Sequence, residues 1–425
     1  MAPMSEPMKC SYAGCAETAW SEDPQGLCLC HSPGNGKSEE TAQAVWTRAR
    51  SKAEARDPSF RGWHFPSDPG GTGVLLVSGD SDSDRIRLDG ATFEGQVWLR
   101  VASGSLVCRA ATFMKKAFFG GHGIGVAEFQ RARFLGPAVF SATTFREGAT
   151  FDEAAFSSDA YFGEAEFQDY ASFEGAIFKG KAAFAGATFR KWASWQGARF
   201  EAEAQFNLAA FEGNANFARA RFDQAVHFSG ASVHQGKHIA FDLPRGESPL
   251  WGFLPLLRRP APTPFRQREE GETAYRLAKD TAQSSGDYRR AGQYHFAEQC
   301  AIEHSNRKQH GWRFWHWLPE LAFARWVFGY GERPLRPLAA ALVLIAVSAV
   351  LAFALAGITP DPQRMLDYRP TLGECVYFSF VTFTTVGYGD LNPKPHFRLF
   401  AAAEAFAGFA LMAVLIVTMT RKYTR

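Results

Sequence analysis

The chain has 425 residues, a formal net charge of +3 and a slightly negative mean hydropathy. These values allow two or three domains, exclude a chain embedded in a bilayer along most of its length, and give bulk charge no role in holding nucleic acid. Seven cysteines, an odd number, and no apolar h-region in the first thirty residues predict reduced thiols in a cytosolic setting, with membrane insertion left to C-terminal segments.

Residues 1–36 space Cys10, Cys15, Cys28 and His31 as C-x4-C-x12-C-x2-H, with Gly14 and Gly26 available for tight turns. Three thiolates and an imidazole suit tetrahedral Zn2+, and a segment this short has too little core to fold without metal. A polar tail with free thiols is the other reading, with Cys30 as a competing ligand. Residues 37–85 read as a linker with some helix, and Pro66 to Gly73 reads as a loop.

Residues 86–232 are an internal repeat. One series runs Phe134, Phe145, Phe156, Phe167, Phe178, Phe189, Phe200, Phe211 and Phe222, and a second runs from Phe129 through Phe140, Phe151, Phe162, Phe173, Phe184, Trp195, Phe206 and Phe217 to Phe228, each with a period of eleven. Alanine stands two residues before most of these rings, as at Ala132, Ala154 and Ala165. Alternating steps of five and six would wander around a helix, whereas a square coil of about 22 residues places every ring inward. This section resembles the pentapeptide-repeat family. The resemblance implies a right-handed quadrilateral parallel β-helix, here of about six coils at the usual strand spacing. Ser103, Gly123 and the Gly120-Gly121 pair break the series, so bulges or loops are expected in the first coils. Acidic and basic residues are nearly balanced along the rod, which favours a scaffold or sensor, with a protein or small-ligand partner, over a DNA mimic.

Residues 233–265, with Pro255, Pro260, Pro262 and Pro264, read as a linker. Residues 266–308 read as a helical hairpin that transmits force, broken at Gly286 and restarted at the N-cap Asp287. Arg289, Arg290, Tyr294, His295 and Glu298 fall together at helical spacing and read as a charged helix surface or a ligand site. Residues 309–337 interleave Trp312, Trp315, Trp317 and Trp326 with arginines, the composition of an amphipathic helix lying against membrane lipids.

Residues 338–358 form an apolar run of about 31 Å at helical rise, enough for one crossing. Thr371 to Phe383 is too short to cross, and residues 398–420 form a second span ending at Arg421, Lys422 and Arg425. Between the spans stands Thr384-Thr385-Val386-Gly387-Tyr388-Gly389-Asp390, in which the glycines permit unusual dihedrals. This run resembles the selectivity filter of potassium channels, and residues 338–425 resemble a two-helix potassium-channel pore. A second Gly-Tyr-Gly, at Gly329 to Gly331, lacks the preceding Thr-Val and reads as a turn.

The resemblance implies an all-α pore following the β-helix and its helical linker, closed as a homotetramer because one chain supplies one filter strand. It implies K+ as the permeant ion, held by the carbonyls of Thr385 to Tyr388 and the Thr385 hydroxyl, with Asp390 bracing the strand from behind. Glu404, ionisable inside a span, either hydrogen-bonds behind the filter, lines a water-filled vestibule or lies shallow near the interface; Gly408 is a hinge or a packing contact. Basic residues flanking the spans place the N-terminal domains and the C-terminus in the cytoplasm and the protein in the cell (inner, plasma) membrane, although Arg364, Arg369, Lys394 and Arg398 weaken that argument. The alternatives are a membrane-anchored protein-binding scaffold in which the pore segment mainly tetramerises, or a weakly selective cation channel. No voltage-sensor pattern and no catalytic constellation stand out, so an enzyme is not expected.

Overall fold

The computed structural model describes residues 8–33, 37–54, 59–70, 73–77, 85–101, 104–120, 123–242, 265, 271–310, 335–360 and 368–423. They fall into two compact units, one built on residues 1–244 and 262–302 and the other on 245–261 and 303–425. The expected interfacial helix, the second Gly-Tyr-Gly and most of the proline-rich linker lie outside the described residues.

The first unit is a parallel β-solenoid of about seven turns, with three ladders of eight short strands and a fourth of five. Its register repeats the sequence period: Phe134 pairs with Phe156, Phe156 with Phe178 and Phe178 with Phe200. Equivalent side chains must therefore stack at the inter-strand distance. The column Phe134, Phe156, Phe178, Phe200 and Phe222 has centroid separations of 4.7–4.9 Å with planes within 6°. Rings of adjacent columns meet edge-on, as Phe162 and Phe173 do at 5.3 Å and 88°, so the square interior combines stacked and T-shaped contacts. The small residue two positions before each ring is buried as well, alanine at Ala132, Ala154, Ala165, Ala176 and Ala187 and β-branched at Thr143 and Val226, because the space beside the column is narrow.

Every second corner has a left-handed residue. Positive φ recurs at Arg131, Ala142, Glu153, Glu164, Gly175, Gly186, Gly197, Leu208, Arg219 and Gly230, a strict period of eleven. Glycine occupies only four of these ten positions, so most corners accept a strained L-residue and rely on the stacked core to hold it. The first coils are irregular, as expected: the fourth ladder starts only at Thr144–Phe145, preceded by an isolated bridge from Ile124 to Phe145.

Pairing runs from His64 to Phe241, beyond 86–232 at both ends. The linker expected at 37–85 contains helix α1 (Glu39–Glu54), whose Val45, Trp46 and Ala49 are buried against the first coil. Trp46 donates from its indole to the Pro66 carbonyl at 2.9 Å. At the other end, the strand Ile239–Phe241 adds a coil inside the segment read as linker, displaced by two residues from the repeat, so that Phe241 stacks on Phe217 at 5.0 Å. Helices α2 (Gly271–Ser284) and α3 (Tyr288–His310) close that end. Tyr275 packs edge-on to Phe265, itself stacked on Phe222, and the Phe241 amide donates to the Tyr294 hydroxyl at 3.2 Å. A solenoid end exposes a row of unpaired backbone groups and needs such covers.

The charged cluster read on α3 is part of this cover. Glu298 is buried and accepts from Arg276 Nε at 2.9 Å and Lys279 Nζ at 2.8 Å, tying α3 to α2. Burial pushes its carboxyl up, but the hydrogen bonds from Lys279 and Arg276 outweigh burial and hold it below the usual carboxylate range. A depressed carboxylate stabilises the fold above its unfolded pKa and loses that contribution as pH falls through the folded value. Glu298→Gln should therefore cost about 3 kcal/mol at pH 7, and the gap from wild type should close as pH drops below about 4. Chemical unfolding of both proteins at several pH values measures it; a gap that does not narrow as pH falls contradicts the assignment.

The second unit has helix α4 (Leu335–Ala354), helix α5 (Leu372–Phe383) and helix α6 (Arg398–Tyr423). α4 and α6 are long and apolar enough to cross a membrane. A two-residue antiparallel pair, Ile358–Thr359 with Asn392–Pro393, ties the end of α4 to the approach to α6. Beside it Gly357 is required, because a Cβ there would run into the Phe397 ring.

Candidate functional site

The short helix α5 begins with a reciprocal capping box. Thr371 accepts from the Glu374 amide at 3.3 Å, and the Glu374 carboxylate accepts from the Thr371 amide at 2.7 Å and from the Tyr368 hydroxyl at 2.6 Å. Its twelve residues span about 18 Å, too short to cross. Its last turn runs directly into the glycine-rich strand: the amides of Thr384, Thr385 and Val386 donate to Phe380, Thr382 and Val381 at 3.0–3.1 Å. The negative end of the helix dipole lies where this strand begins.

Along the strand the handedness alternates. Thr385, Gly387 and Gly389 have φ of 56°, 58° and 78°, while Val386 and Tyr388 between them stay on the ordinary side. A backbone of alternating handedness sends its N–H groups to one side and hence its carbonyls to the other. Glycine accounts for two of the three left-handed positions, but Thr385 is β-branched and is held there against a steric cost. That strain was not visible in the sequence. Residues Thr385 to Asp390 are exposed in a single chain, Tyr388 at 71%. Asp390 lies near the Tyr377 side chain of α5, at the far end of the strand.

Glu404 is 3% exposed on α6 and lies in hydrogen-bond contact with the Ser379 hydroxyl of α5, which also lies 3.0 Å from the Ile345 carbonyl of α4. Through Ser379 the carboxylate thus joins all three helices, and its other oxygen is buried without a hydrogen-bond partner among the described residues. Ser379 escaped the sequence reading; a lone hydroxyl in an otherwise apolar turn was its signal. Gly408, one turn on from Glu404, faces the end of α5, and an added Cβ would collide with the Phe383 carbonyl. Its geometry is that of a packing contact with backbone. Lys394, counted among the charges opposing the orientation argument, is buried and donates to the Tyr368 carbonyl at 3.0 Å.

The cysteine and histidine residues also come together. The ligand atoms of Cys10, Cys15, Cys28 and His31 lie within 4.8 Å of one another. Cys15 Sγ to Cys28 Sγ is 3.9 Å and Cys10 Sγ to His31 Nδ1 is 3.7 Å; a tetrahedral zinc site with Zn–S bonds of 2.3 Å has edges of about 3.8 Å. His31 Nε2 donates to the Arg61 carbonyl at 3.0 Å, leaving Nδ1 as the free lone pair facing the thiols. Burial pushes the Cys10 thiol up, but backbone amides around it, from Tyr12 and Cys28, more than offset this and lower it to about 7. Cys30 is pushed up to about 12 by burial and is not among the four whose ligand atoms converge. The cluster is compatible with Zn2+.

In its own unit each part defines a class: a parallel β-solenoid, and a membrane module of two crossing-length helices around a short helix and an alternating strand. Residues 338–425 match the ion channel family, and residues 124–166, 151–199 and 162–209 match the family of pentapeptide repeats (9 copies). The chain is thus a protein with an ion-channel domain and a pentapeptide-repeat domain. No curated protein and no solved structure gives a significant match to it.

The contact at Gly408 separates packing from hinge. Gly408→Ala should push α6 off the end of α5 and lower the unfolding free energy of the membrane domain by about 1–3 kcal/mol. Denaturation of the purified protein in detergent measures this; unchanged stability with altered opening would restore the hinge.

Proposed function

We propose that this protein is a homotetrameric, potassium-selective channel of the cell (inner, plasma) membrane, whose cytoplasmic pentapeptide-repeat domain regulates or scaffolds it. The observation that carries the reading is the alternation of handedness over Thr385, Val386, Gly387, Tyr388 and Gly389. With their carbonyls turned to one side, four such strands around an axis would replace the hydration shell of K+. The exposure of Val386 and Tyr388 in one chain fits a strand whose counterparts come from other subunits. Thr384 starts the strand as the C-cap of α5, and Asp390, near Tyr377 of that helix, is placed to brace its end. Glu404 and Gly408 support it from α6. Arg336 before the first span and Arg421, Lys422 and Arg425 after the second favour cytoplasmic termini, and the structural use of Lys394 removes part of the opposing charge.

At the N-terminus, Cys10, Cys15, Cys28 and His31 are the ligands of a structural Zn2+ that holds their segment, the knuckle of residues 8–33, against the first coil. The Cys30 carbonyl accepts from the His64 amide at 2.7 Å, so the same loop extends the solenoid's pairing. Metal analysis of the purified chain should find one zinc per chain, kept in Cys30→Ser and lost in Cys28→Ser; metal retained by Cys28→Ser contradicts the ligand set.

Conduction is tested by flux into proteoliposomes. Wild type should pass potassium, and Gly387→Ala, which puts a Cβ on a left-handed filter residue, should reduce the flux at least about tenfold, the equivalent of 1.4 kcal/mol. Absence of flux in wild type, or equal flux in the variant, favours the membrane-anchored scaffold.

A further inference from the structure

Beside the knuckle, on the face of the first coils, lies a groove of about 410 Å³ lined by Tyr12, Arg61, Arg85, Arg87, Asp89, Val107, Arg109 and Glu128. Four guanidinium groups face two carboxylates there. The two carboxylates are already engaged, Asp89 with Arg61 at 3.3 Å and Glu128 with Arg109. Among the described residues, Arg85 and Arg87 have no acidic partner, although they are exposed and half-buried respectively, two residues apart on one strand. In the ladder that carries them Arg85 lies opposite Ser105 and Arg87 opposite Val107, and the next carboxylate along it, Glu128 opposite Val107, is the one paired with Arg109. A concave surface with two arginines that lack an acidic partner is suited to receive an anion, and the guanidinium fork fits phosphate oxygens in pairs.

The wall of this groove is held from behind. Tyr12 stacks flat on His31, with centroids 4.0 Å apart and planes within 9°, and it packs on Gly62, where a side chain would collide with its ring. The Arg61 carbonyl takes the hydrogen bond from His31 Nε2. Two lining residues are thus positioned by one residue of the cysteine–histidine cluster. The groove's volume suits a compact ligand rather than an extended chain.

We propose that this groove binds a phosphorylated small molecule, gripped by Arg85 and Arg87 and walled by Tyr12 and Arg61. It would give the repeat domain a soluble ligand. The site rests on the solenoid unit alone, so its test does not depend on conduction.

The test is calorimetric titration of the full-length chain in detergent with inorganic pyrophosphate and, separately, with ATP. The full chain keeps Asp80, Asp82 and Asp84, which precede Arg85 in the sequence, present as competitors. Saturable binding of either probe is expected, weakened at least about tenfold in R85Q/R87Q and unchanged in R190Q, whose arginine pairs with Glu166 elsewhere on the solenoid. R85K/R87K should recover part of the affinity, which a misfolded variant could not do. No saturable binding of either probe at millimolar concentration, or equal binding by wild type and R85Q/R87Q, overturns the proposal.

Discussion

Backbone polar groups that leave helical geometry between two apolar spans have no water to satisfy them, and hydrocarbon supplies no partners. Such a segment has to be buried in protein or face an aqueous path, and the rest of the membrane unit is arranged around that requirement. α5 is capped at its start by Thr371 and Glu374, so its last turn delivers the strand at a fixed place. Gly408 lets α6 approach the backbone of Phe383, and Ser379 with Glu404 ties α4, α5 and α6 together behind it. The left-handed Thr385 needs this support. A β-branched residue at φ of 56° relaxes unless its surroundings over-determine it.

The solenoid is governed by a different constraint, the fixed distance between paired strands. Once Phe134, Phe156 and Phe178 are in register, their rings must stack within about half an ångström of that distance, and the position two residues before each ring takes a small side chain, mostly alanine. The strained corners at Arg131, Ala142, Glu153 and Glu164 are tolerated because each coil is locked by the next. What a repeat cannot supply is its own ends. α1 with Trp46 and the knuckle close one, and Tyr275 and Tyr294 on α2 and α3 close the other.

Much of this was legible in the residues because the signals were periodic or dense. The eleven-residue phenylalanine series set the ladders, and the C-x4-C-x12-C-x2-H spacing brought four ligands within reach of one another. The span lengths and the short helix between them followed from apolar runs. The ends of the solenoid were not legible, because capping segments pack through a few residues such as Trp46 and Phe241 that follow no period. Glu298 read as surface charge, since helical spacing cannot show that Arg276 and Lys279 on the preceding helix reach it. The left-handed corners carried a partial signal, glycine at 175, 186 and 197, masked by Glu, Arg and Leu at the other corners. Ser379 became meaningful only when α6 placed Glu404 against it.

Whether the alternating-handed strand that follows the capped short helix selects potassium decides between a channel and a membrane anchor. The most direct measurement is the reversal potential of the reconstituted full-length protein in a planar bilayer, with potassium on one side and sodium on the other. A reversal close to the potassium equilibrium potential is the predicted result. Reversal midway between the two cations, or no cation current under any condition tested, would contradict it.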